Sequence, residues 1–179
     1  MVKVKQLRLR IFAQFLIIIA PITLVLIYQA VSDLRRTAAI EKVLERQRLS
    51  RTAKEDFDAF VTFGADAVDT GSLGQRAFEA LNESRTALSV LQAADPGART
   101  AAVDVQSLAR QVTVAMPLNQ LLTVRSAINQ SREAIRVMDA GYERASNAAI
   151  AQSIETARRQ SRVVAAATLF TLLIAAWFM

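Results

Sequence analysis

The feature that most constrains this chain is an uncharged apolar run near its beginning, from Ile11 to Val31. A helix rises about 1.5 Å per residue, so a run of about 20 residues matches the roughly 30 Å hydrocarbon layer of a bilayer. Four cations precede the run with no acid among them: Lys3, Lys5, Arg8 and Arg10. Because cations stay on the cytoplasmic side, the sequence predicts a cytoplasmic tail over residues 1–10 and a transmembrane helix over 11–31.

A cleaved signal peptide also begins with a basic head and an apolar stretch. The tripeptide in this run that best matches a signal-peptidase cleavage site is Tyr28-Gln29-Ala30. Cleavage requires a small side chain where this tripeptide has the bulky Tyr28. The apolar run is also longer than the core of a usual signal peptide, so we expect an uncleaved anchor.

The chain closes on a second apolar run, from Val163 to Met179. Its length is at the short limit for a membrane span, and Trp177 and Phe178 suit a membrane interface. No polar tail follows it, so we expect the chain to be a fragment that is cut where transmembrane helix 2 emerges in the cytoplasm. The predicted outer side of this run carries three cations, which argue mildly against the orientation: Arg158, Arg159 and Arg162. The cluster over residues 1–10 is denser, and the first helix usually dominates the topology.

Composition points to helices and away from several chemistries. The chain is 53% hydrophobic and 6% aromatic, with five Gly and three Pro, which favours helix over turn-rich folds. The formal charge of +6 depends on the N-terminal cations, since the remaining chain holds 18 basic against 16 acidic residues. We therefore expect no nucleic-acid partner. With no Cys and no His, the chain lacks the commonest metal ligand and general base, so no catalytic residue, metal site or cofactor is predicted.

Between the two runs, residues 32–162 follow the three-and-four spacing of apolar residues that predicts helices. The first outer helix continues from the membrane and ends near Asp69-Thr70-Gly71. Ser72 to Gln75 fits a capping box for a second helix, and Asp95-Pro96-Gly97 predicts the next turn. A third helix is predicted from Ala98 to Ala115. The fourth is predicted to run from Pro117 to Arg162, although Pro117 also fits a kink.

The fourth predicted helix has the most regular apolar seam in the chain. Its members alternate spacings of four and three, as in a heptad repeat: Leu121, Val124, Ile128, Ser131, Ile135, Met138, Tyr142, Ala145, Ala149 and Gln152. The predicted fold class is therefore all-α. The finer prediction is an antiparallel four-helix bundle whose first and last helices continue into two transmembrane helices.

This layout resembles the N-terminal half of bacterial methyl-accepting chemotaxis receptors and of sensor histidine kinases with four-helix-bundle input domains. The resemblance covers the whole chain and rests on topology and periodicity, because no diagnostic motif is present. It implies a two-pass inner-membrane protein with a periplasmic sensor domain over residues 32–162, acting as a homodimer in contact with membrane lipid. It also implies that transmembrane helix 2 passes a binding event to a HAMP linker and a signalling domain beyond Met179, with the chemotaxis type favoured.

Two other outputs stay open beside chemotaxis: the input domain of a histidine kinase or cyclic-di-GMP enzyme, and a purely structural membrane-anchored helical dimer. An enzyme within this chain is the weakest reading. A ligand that shifts the melting temperature of residues 32–162 would favour an input domain over a structural role.

Ligand contacts are predicted at arginines on helix edges. Arg125 and Arg132 are seven residues apart beside the seam of the fourth helix, and Arg85 is a weaker candidate on the second. A guanidinium offers a planar fork of donors, so this pair suits a small anion such as an amino acid or organic acid. The alternative is that these arginines pair with acids on a neighbouring helix or are solvated. The aromatic residues fit a hydrophobic core better than a ligand cage: Phe57, Phe60, Phe63 and Phe78.

Overall fold

The computed structural model describes the backbone of residues 2–178 and the side chains of residues 19–20 and 22–173. The helices are α1 (Val2–Ala65), α2 (Ala67–Thr70), α3 (Gln75–Ala94), α4 (Arg99–Gln111), α5 (Leu118–Thr123) and α6 (Arg125–Phe178), with one 3₁₀ turn at Pro96–Ala98. Over residues 2–178 there is no strand, and β-type pairing is limited to an isolated bridge between Ser72 and Pro117. The predicted all-α class is therefore confirmed.

The chain divides into two compact units. One, which we call the core unit, is Glu41–Ala148; the other, which we call the terminal unit, is Met1–Ile40 together with Ala149–Met179. Helices α1 and α6 each contribute residues to both units, whereas α2 to α5 belong to the core unit alone.

Burial in the core unit follows the helical period that the sequence predicts. On α3 the buried stripe is continuous over about four turns, because small or apolar residues recur at helical spacing: Ala77, Ala80, Leu81, Ser84, Leu88 and Leu91 are all buried. Val105 and Leu108 of α4 and Phe57 and Phe60 of α1 join the same cluster. The two rings meet edge to face with centroids 5.6 Å apart. Phe63, by contrast, is 38% exposed and is not part of this core.

The turn between α3 and α4 forms where the sequence predicts it. Asp95 is extended and ends α3, and its Oδ1 accepts a hydrogen bond of 2.8 Å from the Gly97 amide. Pro96 occupies the first position of the 3₁₀ turn, where its missing N–H costs nothing. Arg46 of α1 fastens this turn, since its guanidinium donates to Asp95 Oδ2 at 3.1 Å and to the Ala94 carbonyl at 3.0 Å.

The other end of the core unit is closed by two loops that pair through their backbones. The Leu73 amide donates to the Met116 carbonyl at 2.8 Å, and the Ala115 amide donates back to the Leu73 carbonyl at 3.1 Å. Gly71 has φ of 76°, as expected of a glycine that ends a helix. Ala115 has φ of 60°, which lies in the left-handed region of backbone conformation. A residue with a Cβ adopts this conformation only at an energetic cost.

Several predicted boundaries need correction. The capping box at Ser72 is wrong, because α3 begins at Gln75 with the extended Gly74 at the N-cap and no side-chain cap. The third helix ends at Gln111 instead of Ala115, since residues 112–117 enter the loop pairing. The helix predicted from Pro117 is divided, because α5 ends at Thr123 and α6 begins at Arg125.

The predicted membrane spans also need correction. In the residues whose side chains the structure describes, no helix contains a stretch long and apolar enough to cross a bilayer. After Val31 the helix meets Asp33, Arg35 and Arg36, and the described part of the second run, residues 163–173, is short and follows three arginines. Parts of both predicted runs, residues 11–18, 21 and 174–179, lie outside the described side chains. This finding overturns the predicted two-pass inner-membrane location.

Candidate functional site: a polar cluster between α1 and α6

Three polar side chains meet inside the core unit between α1 and α6. We call Ser50, Lys54 and Asp139 the α1–α6 polar cluster. The Ser50 hydroxyl donates to Asp139 Oδ1 at 3.1 Å, and Lys54 Nζ donates to Asp139 Oδ2 at 2.9 Å. Ser50 is fully buried, and the Asp139 side chain is 15% exposed. Both carboxylate oxygens are thus satisfied in a largely dry position, which such a group requires.

Helical geometry explains why these residues meet. Ser50 and Lys54 are four residues apart, so they lie one above the other on the same face of α1. Asp139 directly follows Met138, which is itself part of the buried face of α6. The Asp139 carboxylate raises the pKa of Lys54, mainly through the hydrogen bond and next through its charge, while Asp58 and Glu143 add smaller attractions. Lys54 is therefore held as a cation and the cluster as an ion pair.

A second polar feature on the same face of α6 lacks a partner. Ser131 is 1% exposed, and within the described side chains its hydroxyl makes no hydrogen bond. The buried Ser84 of α3 behaves differently, because its hydroxyl donates to the Ala53 carbonyl of α1 at 2.8 Å. A buried hydroxyl without a partner costs about 1–3 kcal/mol. The face that α6 presents to the core is therefore less well satisfied than the matching face of α3.

Tyr142 lies further along this face of α6. Its hydroxyl is buried and, among the described residues, has no hydrogen-bond partner, although Asp95 lies close by. Burial raises the pKa of Tyr142, and the negative charge of Asp95 raises it further, while Arg46 opposes the effect. The phenol is thus neutral and fills space beside the α3–α4 turn without fixing a bond.

The three predicted ligand arginines are all on the surface. Arg125 is the first residue of α6 and Arg85 lies on α3, both exposed and, within the described residues, without an acidic partner in contact. Arg132 donates to Asp58 Oδ1 of α1 at 3.3 Å, with both side chains about half exposed. The pairing of Arg132 with an acid on a neighbouring helix is the alternative that the sequence leaves open. The ligand-binding role of all three stays a prediction.

Like charges approach each other on the opposite side of α1. Asp56 is partly buried, and its pKa is raised first by burial and then by the negative charges of Glu83 on α3 and Glu55. No group of three or more metal-ligating side chains lies together in the described part of the chain. The negative charge of Asp56 is therefore a source of electrostatic strain in the folded protein.

Sequence reasoning did not find the α1–α6 polar cluster. Its members are 85 and 89 residues apart, so their contact depends on how two distant helices pair. A signal was present, since Ser50 and Lys54 interrupt the apolar face of α1 at helical spacing between Val43 and Phe57. The sequence gives no such signal at Asp139, because this residue lies beside the predicted apolar seam and does not interrupt it.

These features define an all-α protein whose core unit holds a partly buried ion pair between its first and last long helices. No protein-family profile, curated protein or solved structure matches the chain. With no relative in support and no described helix able to span a membrane, the predicted identity as a chemotaxis receptor or sensor kinase is overturned.

Proposed function

We propose that the core unit is a ligand-responsive helical module in which α6 changes its packing against α1 when a small anion binds. The observation that carries this proposal is the contrast between two interfaces. Apolar side chains join α3 to α4. Helices α1 and α6 also contribute apolar side chains to the core, but they meet in addition through Ser50, Lys54 and Asp139, and α6 buries the unpaired Ser131. A polar interface with an unsatisfied group has alternative packings of similar energy more readily than an interlocked apolar one.

The proposed arrangement within the core unit is an antiparallel four-helix bundle of α1, α3, α4 and α6. Its support is the order of the cross-helix contacts. Ser50 pairs with Asp139, and Asp58 pairs with Arg132, so positions that rise along α1 fall along α6. A short turn joins α3 to α4, which favours antiparallel neighbours.

The proposed ligand is an anion such as an amino acid or organic acid, and the proposed contacts are the predicted arginines. Arg132 already binds a carboxylate, that of Asp58, in an ion pair that is about half exposed and therefore weak. A ligand carboxylate that replaced Asp58 would release α1 from α6 at this point. Because α6 is an unbroken helix from Arg125 to Phe178, a displacement at its start is passed along its backbone.

A thermal-shift screen of the full chain against amino acids and dicarboxylates tests this proposal. Binding to the native state adds RT ln(1 + [L]/Kd), so a ligand at about a hundred times Kd adds about 2.7 kcal/mol. The double variant Arg125→Gln/Arg132→Gln should abolish the shift, whereas Arg76→Gln, an exposed arginine on α3, should retain it. A panel without any active compound contradicts the proposal.

A second measurement tests the conformational part. The chain has no cysteine, so a single pair of spin labels can be placed at exposed positions on the two helices, Arg48 on α1 and Val137 on α6. The label distance should change when the active compound is added. An unchanged distance in the presence of bound ligand contradicts the coupling while leaving the binding intact.

A structural role as a helical homodimer is the second candidate, favoured by the surface of the terminal unit. Large apolar side chains there are mostly exposed: Leu24, Leu26, Ile27, Tyr28, Leu34, Val163, Leu169, Phe170, Leu172 and Leu173 are each 55% or more exposed. A side chain of this size contributes on the order of 100 Å² when fully exposed. The set offers several hundred Å² in total, but positions such as Leu24 and Leu26 lie on different faces of α1, so one partner covers a part of it that is smaller than the roughly 800 Å² of a standard interface.

Sedimentation of the full chain distinguishes this second candidate. A second copy seated on this surface gives a dimer that Leu24→Glu/Leu169→Glu dissociates. Val90→Glu, which changes an exposed apolar residue on α3 of the core unit, should leave the dimer intact. A chain that is monomeric throughout the micromolar range excludes the dimer.

A further inference from the structure

We propose that the terminal unit carries a binding site for a phosphate ester, formed by Arg35 and Arg36 of α1. The site is independent of the anion contacts proposed for the core unit. Arg35 and Arg36 line a shallow cavity of about 280 Å³ with four neighbours on α1: Tyr28, Val31, Ser32 and Ala39. Two guanidiniums and two hydroxyls thus border one apolar floor.

One of the two guanidiniums is held in place. Arg36 donates to Gln160 Oε1 of α6 at 2.6 Å and lies 3.6 Å from Asp33, with its side chain 28% exposed. Gln160 Nε2 in turn approaches the Ser32 hydroxyl at 3.5 Å. Because these contacts leave Arg36 few alternative rotamers, less entropy is lost when it binds an anion.

The other guanidinium is available. Arg35 is exposed and, among the described side chains, forms no ion pair. It neighbours Arg36 in sequence, so the two cations together favour a dianion over a monoanion. A phosphate monoester accepts hydrogen bonds through three oxygens and matches the planar donor fork of arginine.

The surrounding charge has the same sign. Residues 32–39 of α1 and 155–162 of α6 contain five arginines and two acids, Asp33 and Glu155. The arginines are Arg35, Arg36, Arg158, Arg159 and Arg162. Arg159 is paired with Glu155 at 2.6 Å. Arg158 and Arg162 lie about 200° around α6 from Gln160, so they strengthen the positive potential without lining the cavity.

The apolar part of the cavity selects an ester over free phosphate. Tyr28 lies about one helical turn before Ser32, and Val31 lies about one turn before Arg35, so an organic substituent can rest on them while the phosphate meets the arginines. Such a ligand is either a soluble phosphate monoester or the monoester headgroup of phosphatidic acid. The phosphate contact is the same for both sources.

Titration of the full chain with inorganic phosphate and phenyl phosphate tests the site. Phenyl phosphate should bind more tightly, Tyr28→Ala should remove that preference, and Arg35→Gln should weaken both ligands about tenfold. Arg76→Gln removes one exposed arginine from the core unit and should change neither affinity, which controls for net charge.

Flotation with vesicles distinguishes the two sources. Stronger binding to phosphatidic acid than to phosphatidylcholine vesicles, weakened by Arg35→Gln but not by Arg76→Gln, assigns the site to a lipid headgroup. Binding of phenyl phosphate with no such vesicle preference assigns it to a soluble ester. The proposal is overturned if the chain binds neither phenyl phosphate nor the anionic vesicles. It is also overturned if the Arg35→Gln variant binds both as tightly as the Arg76→Gln variant does.

Discussion

At the scale of single residues, the hydroxyls of two fully buried serines, Ser84 and Ser131, differ in whether they form a hydrogen bond. Ser84 donates to the Ala53 carbonyl at 2.8 Å, whereas Ser131 has no partner within the described side chains. Both residues are serines, and both are almost completely removed from water. They therefore form a matched pair for measuring what an unsatisfied hydroxyl costs in this core.

We expect Ser131→Ala to stabilise the protein by about 1 kcal/mol, since it removes a buried polar group that forms no bond. Ser84→Ala should destabilise it by about 1 kcal/mol, because it removes a bond that is made. Urea unfolding followed by circular dichroism measures both changes as shifts of the midpoint at constant slope. Equal losses in the two variants would mean that Ser131 has a partner in solution.

Backbone conformation gives a second matched pair at the same end of the core unit. Ala115 has φ of 60° and Gly71 has φ of 76°. We expect Ala115→Gly to stabilise by about 0.5–1 kcal/mol, because relief of the left-handed strain exceeds the entropy that a glycine adds to the unfolded chain. Gly71→Ala should cost about 1 kcal/mol, although open space surrounds its Cα. Thermal melting measures both changes: the melting temperature should rise for Ala115→Gly and fall for Gly71→Ala.

The titration of Asp56 leads us to expect that the stability of the folded protein depends on pH. Its pKa is raised in the folded state by burial and by Glu83 and Glu55, so the folded protein binds its proton more tightly than the unfolded chain does. Stability therefore falls as pH rises from the ordinary carboxyl range through the raised pKa, and the full penalty is present at neutral pH. Asp56→Asn should raise stability at pH 7 and flatten this part of the profile.

The control for Asp56 is Glu41→Gln, which neutralises an exposed carboxylate on the same helix. It should leave the difference between stability at pH 4 and at pH 7 unchanged. Denaturant titrations at several pH values provide both profiles. A parallel profile for Asp56→Asn and the parent chain would place the titration elsewhere.

At the scale of helices, the hydrophobic pattern predicts which faces are buried better than it predicts where helices end. The stripe on α3 and the turn at Asp95 are correct because both depend on local spacing and turn chemistry. The end of α4 was missed because residues 112–117 pair with the loop after Gly71, which is a contact between segments far apart in sequence. Local patterns carry no information on such a pairing.

The seam of α6 shows a gradual departure of the same kind. Val124, Ser131, Ile135 and Met138 are buried as predicted, but further along Ser146 is buried in place of Ala145. A straight helix has 3.6 residues per turn, so a seam read with a strict seven-residue repeat drifts by about 20° per heptad. The drift moves the buried position by one residue after Tyr142.

The interface between α1 and α6 supports a prediction at this scale. Asp139→Ala should cost about 1–3 kcal/mol, because Ser50 is fully buried and loses its only hydrogen-bond acceptor among the described residues. Lys54→Ala should cost less, since 43% of that side chain is exposed and water replaces part of its contact. Chemical denaturation of both single variants and of the double variant completes a double-mutant cycle.

A coupling energy of about 0.5–1 kcal/mol between Lys54 and Asp139 is expected from this cycle. The salt dependence provides a check, because the partly exposed ion pair is screened while the Ser50 bond is not. Raising the salt concentration should therefore reduce the coupling and leave most of the Asp139→Ala loss in place. An Asp139→Ala loss no larger than that of Lys54→Ala would contradict the role given to Ser50.

At the scale of the whole molecule, the two units differ in how much apolar surface each removes from water. In the core unit Leu81, Leu88 and Leu91 are fully buried, whereas in the terminal unit Leu24 and Leu34 are about 70% exposed. Composition alone predicts the reverse, since the most apolar segments of the sequence belong to the terminal unit. Burial depends on having a partner surface, and hydropathy does not report whether a chain supplies one.

Hydrogen exchange should resolve this difference. Amides of α3 between Leu81 and Leu91 exchange only through large-scale opening of the core unit, because their side chains interlock with α1 and α4. Amides of α1 between Ile22 and Ala39 can exchange through local opening that exposes little new apolar surface. We expect protection in α3 to exceed that in this part of α1 by about a hundredfold or more, since each 1.4 kcal/mol is a factor of ten.

Measuring this exchange at several protein concentrations tests the second candidate function, the homodimer. If a second copy covers the exposed side chains of the terminal unit, protection of residues 22–39 should rise with protein concentration while that of α3 stays constant. Leu24→Glu/Leu169→Glu should remove the concentration dependence, and Val90→Glu should preserve it. Uniform protection of both helices at every concentration would show that the chain opens as one cooperative body, which contradicts the assignment of lower local stability to the terminal unit.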